Sequence, residues 1–339
     1  MSTPAPRGTA PLLEVRAVSR RFVRRLDTIE RIAARLGASV REQVVHAVDR
    51  VSFEVADGEV VGLVGESGCG KSTLGRVIAG LHPPSEGEVR LAGEPVALTP
   101  GRRPPVQMIF QDPFASLNPR MRVGEAIAEA PVAHGLVARA DAPAYVAGLL
   151  RQVGLDPVYA RRYPHQFSGG QRARVGIARA LAVQPRFLVC DEAVAALDVS
   201  IQAQVLNLFM TLRESLGLTC LFISHDLGVV RHLADRVVIM YLGRVVETGP
   251  IDEVYCEPNH PYTRALLEEV PRLDRRARAY QPIRGEIPSP LDPPTGCHFH
   301  PRCPHATPRC RAEVPALREV AAGRWSACHL NDADRAAGS

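Results

Sequence analysis

The chain has 339 residues, of which 46% are hydrophobic and 23% charged, with a formal net charge of +5. That is the composition of an ordinary folded protein longer than one typical domain, and so mild a positive charge gives no ground for a nucleic-acid partner. No stretch approaches the roughly 20 apolar residues that span a bilayer, and Met1 to Ala10 holds no apolar signal core, which argues against secretion.

Leu12 to Phe22 reads as a first strand. The basic stretch Arg24 to His46 follows, with Leu26, Ile29, Ala33, Leu36 and Val40 at helical spacing and Arg24, Arg25, Arg31 and Arg35 among them. An inserted helix over about 24–46 is expected, packed on its own domain or lying on a membrane surface or a partner. Val51 to Val55 reads as another strand, turned by Asp57-Gly58. Val60 to Val64 is a short apolar run of the kind a buried parallel strand requires, and Phe187 to Cys190 and Cys220 to Ile223 are two more. Between the first and second of these lies a more helical segment, about 113–183. Strands alternating with helices predict an α/β fold with a parallel sheet and crossover helices. After Gly249 the chain turns Pro-rich, passes the basic Arg272 to Arg278, and ends in a Cys-rich tail. No tandem repeat of 20–50 residues is present.

The run Val60 to Gly80 is a strand, a Gly-rich loop and a helix. The loop Gly65-Glu66-Ser67-Gly68-Cys69-Gly70-Lys71-Ser72 is a phosphate loop in its required setting. Gly65, Gly68 and Gly70 let backbone N–H groups curl around phosphate oxygens, and the helix that starts near Lys71 adds its positive end. Lys71 is expected to reach the β- and γ-phosphates, Ser72 to hold Mg²⁺, and Thr73 to support the α-phosphate side. The strand Phe187 to Cys190 ends in Asp191-Glu192. Adjacent acids at a buried strand end need a cation or donors; Asp191 fits the Mg²⁺ partner and Glu192 the base that polarises an attacking water. Parallel strands present their carboxyl ends along one edge, which places His225, after the next strand, near the γ-phosphate, where it can stabilise transferring charge. Gln111 ends another apolar stretch and is a weaker candidate for sensing Mg²⁺ and water. Ser168-Gly169-Gly170-Gln171 has the form of a capping box on the helix that follows, with two glycines baring the N–H groups of its first turn, a second anion-binding helix start.

Taken together, these motifs resemble the ATP-binding-cassette ATPases, over about residues 12–270. The resemblance rests on Gly65–Ser72, Gln111, Ser168–Gln171, Asp191-Glu192, Ala195–Asp198 and His225, in that order along the chain. It implies a P-loop NTPase of ABC type: a RecA-like parallel sheet core, an antiparallel β subdomain and a helical signature subdomain over about 113–183. It also implies that two cassettes associate head to tail, so that Ser168, Gly169, Gly170 and Gln171 of one cover ATP held by the other, and that an aromatic stacks on adenine near Phe22. Gln111–Arg120, Asp198–Gln204 and His260–Leu266 narrow the resemblance to the oligopeptide/dipeptide importer subunits, with nickel and opine importers sharing much of the pattern. Such systems imply a second, different cassette, two membrane permease subunits and an external binding protein, with this chain on the cytoplasmic face of the membrane. Two residues depart from the pattern: Ala193 stands where the family has Pro and Ala195 where it has Ser. A low-turnover partner cassette and a soluble ABC ATPase are the alternative readings.

The tail, 271–339, reads as a separate small extension. Cys297, Cys303, Cys310 and Cys328 are spaced x5, x6 and x17, none of them the tight pair of a common zinc finger. Spacing leaves zinc, an iron–sulfur cluster and free thiols open, with His298, His300, His305 and His329 as alternative ligands. The resemblance of Pro301–Pro304 and Trp325–His329 to some peptide-importer cassettes points to a structural 4Fe–4S cluster.

Overall fold

The structure is a computed structural model that describes residues 10–24, 42–97, 103–112, 117–269 and 285–332. Its centre is an eight-stranded sheet. Strands β3 (Val60–Val64), β7 (Phe187–Asp191) and β8 (Cys220–Ser224) are buried along their whole length. With β6 (Val106–Ile109) and β9 (Arg236–Tyr241) they run parallel, in the order β9-β3-β8-β7-β6. The register Val60↔Cys220 through Val64↔Ser224 puts the carboxyl ends of β3 and β8 level.

Alternation along these strands divides the interior into two cores. Val60 and Val64, Leu188 and Cys190, Cys220 and Phe222 face one side. Val61 and Leu63, Phe187 and Val189, Leu221 and Ile223 face the other. A strand buried on both faces has no use for polar residues, which is why these three read as unbroken apolar runs.

The second face is covered by helix α1 (Lys71–Ile78), through Leu74, Val77 and Ile78, and by a four-stranded antiparallel sheet. That sheet orders β2 (Gln43–Val55), β1 (Leu13–Arg24), β4 (Glu86–Leu91) and β5 (Glu94–Pro95) side by side. Here the structure corrects the sequence reading. The first strand runs on to Arg24, and Val51–Val55 is only the end of a longer strand. Arg24 pairs with Gln43 and Phe22 with Val45, so both ends of the expected 24–46 helix are β-structure. The β-branched Val44 and Val45 find a pairing partner in β1, which suits them better than a helix end. Residues 25–41 of the expected helix lie outside the described residues.

The first face is packed by helices α2 (Val123–Ala133), α3 (Ala142–Gln152) and α4 (Gly169–Leu181), which fall within the stretch expected to be helical, and by α5 (Val199–Leu216) and α6 (Leu227–Arg231). Residues 113–116 of that stretch lie outside the described residues. β10 (Arg244–Pro250) returns antiparallel on β9, followed by α7 (Ile251–Cys256) and α8 (Pro261–Glu269). The tail adds α9 (Pro308–Ala312) and a hairpin of β11 (Arg318–Ala321) and β12 (Arg324–Ser326). Glu247 pairs with Ser326 and Thr248 with Trp325, so the hairpin extends the central sheet. Among the described residues no helix is long and apolar enough to cross a membrane.

Candidate functional site

β3 delivers the loop 65–70 to the carboxyl edge of the sheet, and α1 begins directly after it. Gly70 has φ +102°, and a Cβ there would lie 1.9 Å from the carbonyl oxygen of Ala47 on β2; only glycine fits this turn. Lys71 is buried, 4% exposed. Its Nζ donates to the carbonyls of Gly65 at 2.6 Å and Glu66 at 3.0 Å, which folds the ammonium back over the loop.

Three further strand ends meet this loop. From β7, Asp191 Oδ1 accepts a hydrogen bond from Ser72 Oγ at 2.8 Å, which joins the two residues expected to share Mg²⁺. Burial pushes the Asp191 carboxyl up; the Ser72 hydrogen bond opposes this and the neighbouring Glu192 charge adds to it. Glu192 follows with φ +47°, a left-handed backbone uncommon outside glycine. Its N–H donates to the Ile223 carbonyl at 3.0 Å. Gln111, beyond the end of β6, donates from Nε2 to Glu192 Oε2 at 2.9 Å, and His225, after β8, places Nδ1 3.5 Å from Glu192 Oε1. Gln111, Glu192 and His225 thus converge although they lie far apart in the chain. The turn after Glu192 closes without the family's proline: Ala195 N–H donates to the Glu192 carbonyl at 3.0 Å.

A cavity of about 370 Å³ opens over these groups. It is lined by Ser67, Gly68, Lys71, Ser72 and Thr73 of the phosphate loop and helix α1, by Gln111 and Glu192, and by Phe22. Phe22 is half-buried, with the Arg20 guanidinium 4.7 Å from its ring centre and His82 edge-on at 5.8 Å. Sequence reasoning missed Val45, Ala47 and Pro290, which also line the cavity. No local signal marks them, because they arrive by strand pairing and by the return of the tail.

The expected second anion site is built as a capping box. Ser168 Oγ accepts from Gln171 N–H at 3.4 Å, and Gln171 Oε1 accepts from Ser168 N–H at 3.0 Å. Gly170 sits tight on α5, where a Cβ would come 2.4 Å from Ile201 Cγ2. Ser168 and Gly169 are exposed, and none of Ser168 to Gln171 lines the phosphate-loop cavity.

The four tail cysteines are half-buried free thiols. Burial raises Cys297, Cys303 and Cys328, the last to about 11, and charge on the neighbouring cysteines raises each of them further. The thiols therefore share one neighbourhood. Among the described residues, however, no three His, Cys, Asp or Glu side chains close on a single metal-ion position. Three of the four nearby histidines have other partners: His298 Nδ1 lies 2.9 Å from the Leu242 carbonyl, His300 Nδ1 3.0 Å from that of Cys297 and His329 Nε2 3.0 Å from that of Glu313.

Comparison with known proteins gives the family. The family described as ABC transporter matches residues 48–195, and the family described as oligopeptide/dipeptide transporter, C-terminal region, matches 246–310. The chain is 50% identical over 295 residues to the oligopeptide transport ATP-binding protein AppF of Bacillus subtilis, covering 84% of this chain and 90% of that one. It is 48% identical over 324 residues to a protein of Brucella ovis named for peptide import and ATP binding, covering 94% and 97%. Among solved structures, the ATP-binding cassette MJ0796, captured as a dimer in a post-hydrolysis state with ADP and Pi, superposes with a TM-score of 0.59 at 24% identity, covering 70% of this chain and 98% of that one.

Proposed function

The chain belongs to the ATP-binding subunits of oligopeptide/dipeptide ABC transporters, a family of ATP-hydrolysing cassettes that work with membrane permeases and a substrate-binding protein, and from that premise we propose how its residues divide the work. The loop N–H groups and Lys71 hold the phosphates of ATP, while Phe22 stacks on the adenine. Ser72 and Asp191, already paired at 2.8 Å, together with the side-chain oxygen of Gln111, offer the hard oxygen ligands that Mg²⁺ prefers. Mg²⁺ bound there neutralises charge on the phosphate oxygens. Glu192 takes the proton of the attacking water, Gln111 orients that water, and His225 stabilises the charge that develops on the γ-phosphoryl group.

The observation that carries this reading is the meeting of Gln111 and His225 on the two oxygens of Glu192, at 2.9 and 3.5 Å. Ser168 to Gln171, outside this cavity and with Ser168 and Gly169 exposed, serve the ATP of a neighbouring cassette, a different subunit of the same transporter. We place the docking of a permease helix at the groove of about 150 Å³ lined by Phe110, Ala130, Ile177 and Ala193. That contact holds the chain at the cytoplasmic face of the membrane. We divide the chain into an ATPase unit over 12–270, with an antiparallel β and a helical subdomain, and a tail unit over 271–339.

For the tail, a zinc site does not fit, since no group of ligands closes on one ion. The same absence weighs against an iron–sulfur cluster, and burial keeps the Cys297, Cys303 and Cys328 thiols above their ordinary pKa. The likeness of Pro301–Pro304 and Trp325–His329 to some peptide-importer tails is what makes a cluster the reading to test. On that reading, anaerobically purified protein is expected to carry iron and acid-labile sulfide; protein with neither, and no visible absorption, rules the cluster out.

The functional test is reconstitution with the permeases and binding protein in vesicles. Uptake of labelled di- or oligopeptides coupled to phosphate release supports the assignment. Transport of nickel without peptides would redirect the substrate, and uptake with no phosphate release would favour a low-turnover partner cassette.

A further inference from the structure

One side-chain contact between the tail and the rest of the molecule lands on the phosphate loop. Arg302 closes the 3₁₀ turn His300–Arg302. Its guanidinium grips Glu66, second residue of the loop, with both prongs: Nη1 donates to Oε2 at 2.6 Å and Nη2 to Oε1 at 3.0 Å. The two side chains are only 5% and 18% exposed. A shielded bidentate pair is far stronger and more directional than a surface ion pair. Tyr241 backs the guanidinium, its ring centre 5.9 Å away, and its hydroxyl accepts from Nη1 at 3.5 Å. Tyr241 in turn packs edge-on against Tyr262 at 4.7 Å and Phe299 at 5.2 Å, both fully buried. Arg302 Nε is buried without a partner. The fork is thus aimed at Glu66 even at the cost of an unmet donor.

Glu66 is held from three directions. Its N–H donates to the Tyr262 hydroxyl at 2.8 Å. Its carbonyl accepts from Lys71 Nζ at 3.0 Å and from Cys69 N–H at 3.3 Å. Its carboxylate is taken by Arg302. The peptide that anchors Lys71 is therefore positioned by a residue more than two hundred positions downstream. The tail also reaches the cavity at a second point, where the Pro290 carbonyl accepts from His46 N–H at 3.0 Å and Pro290 itself lines the wall.

We propose that Arg302 is a positioning residue of the nucleotide site: through its pair with Glu66, the cysteine-rich tail holds the phosphate loop in the shape that binds ATP. The inference rests on the reading that Gly65 to Ser72 hold the phosphates. It makes ATP affinity a property of the tail as well as of the ATPase core, and it gives Glu66, which pairs with Arg302 and does not line the cavity, a reason to be acidic.

The test is calorimetric titration of the full-length, anaerobically prepared chain with Mg-ATP, for Arg302→Gln, Glu66→Gln, the double variant and Lys71→Ala. Each single variant of the pair is expected to bind about tenfold more weakly, a loss typical of a coupled buried pair, and the double variant no more weakly than either single. In the reconstituted transporter, KM for ATP is expected to rise more than kcat falls. A merely structural contact would lower the melting temperature and leave the affinity, measured well below it, unmoved. Wild-type affinity in a folded Arg302→Gln, or losses that add in the double variant, would overturn the proposal. Should Arg302→Gln fail to fold, Glu66→Gln breaks the same pair from the loop side and decides the matter by its affinity. Lys71→Ala separates the two levels: if it binds ATP as the wild type does, the phosphate-loop reading itself is wrong, whereas its failure to bind beside a tight-binding Arg302→Gln sinks only the role of Arg302.

Discussion

Glu192 is constrained in both backbone and side chain. Its backbone sits at φ +47°, a conformation that costs a non-glycine residue about 1–3 kcal/mol and persists where the surroundings enforce it. The carboxylate meets Gln111 and His225 together. Glu192→Gln is expected to lower kcat of the assembled transporter by about 10²–10⁴-fold, the usual contribution of a general base, while Mg-ATP binding to the isolated chain persists. A kcat within tenfold of wild type would remove Glu192 from the role of base. His260 makes a different, structural prediction. It is fully buried, its Nδ1 accepts from Tyr262 N–H at 3.0 Å, and burial lowers its pKa to about 3. A histidine neutral in the fold but free to charge near pH 6.5 when unfolded contributes stability that is complete above that pH. This contribution is lost as the pH falls from about 6.5 toward 3. Chemical denaturation at a series of pH values should show that slope, and His260→Gln should flatten it.

At the scale of elements, the central sheet was legible because its strands are buried on both faces. Val60–Val64, Phe187–Cys190 and Cys220–Ile223 had no polar option and so announced themselves as apolar runs. The strands of the outer antiparallel sheet have one wet face, and there pattern reading failed at the boundaries, as the helix expected from Arg24 and the late start given to β2 show. Gly62 illustrates how tightly the readable part is packed. A Cβ at this position would lie 2.1 Å from Val230 Cγ1 on α6. Gly62→Ala is expected to destabilise the protein by about 1–3 kcal/mol through overpacking, read as a fall in the denaturation midpoint, and Val230→Ala should return part of the loss. If Gly62→Ala leaves the midpoint unchanged, the packing of α6 on β3 is looser than described.

At the scale of the whole molecule, the proposed role of the outward-facing capping box at Ser168, serving a neighbouring cassette's ATP, would tie hydrolysis to assembly. Ala195 is exposed on the single chain, so a hydroxyl restored there is open to a neighbouring cassette. Ala195→Ser is expected to raise ATPase of the assembled transporter by about two- to tenfold, the worth of one added hydrogen bond, and to leave the isolated chain unaffected; no change in the assembly would show that the alanine does not limit turnover. By itself the sequence determined the fold class, the nucleotide and the residue types at each strand end, because phosphate binding, buried strands and helix caps demand particular residues at short spacings. Only the tertiary structure decided that Gln111, Glu192 and His225 form one cluster, that Ala47 and Pro290 close the cavity, and that Arg302 reaches Glu66. Those contacts join residues tens to hundreds of positions apart. Each partner alone obeys no local rule, so nothing short of the folded chain brings their chemistry together.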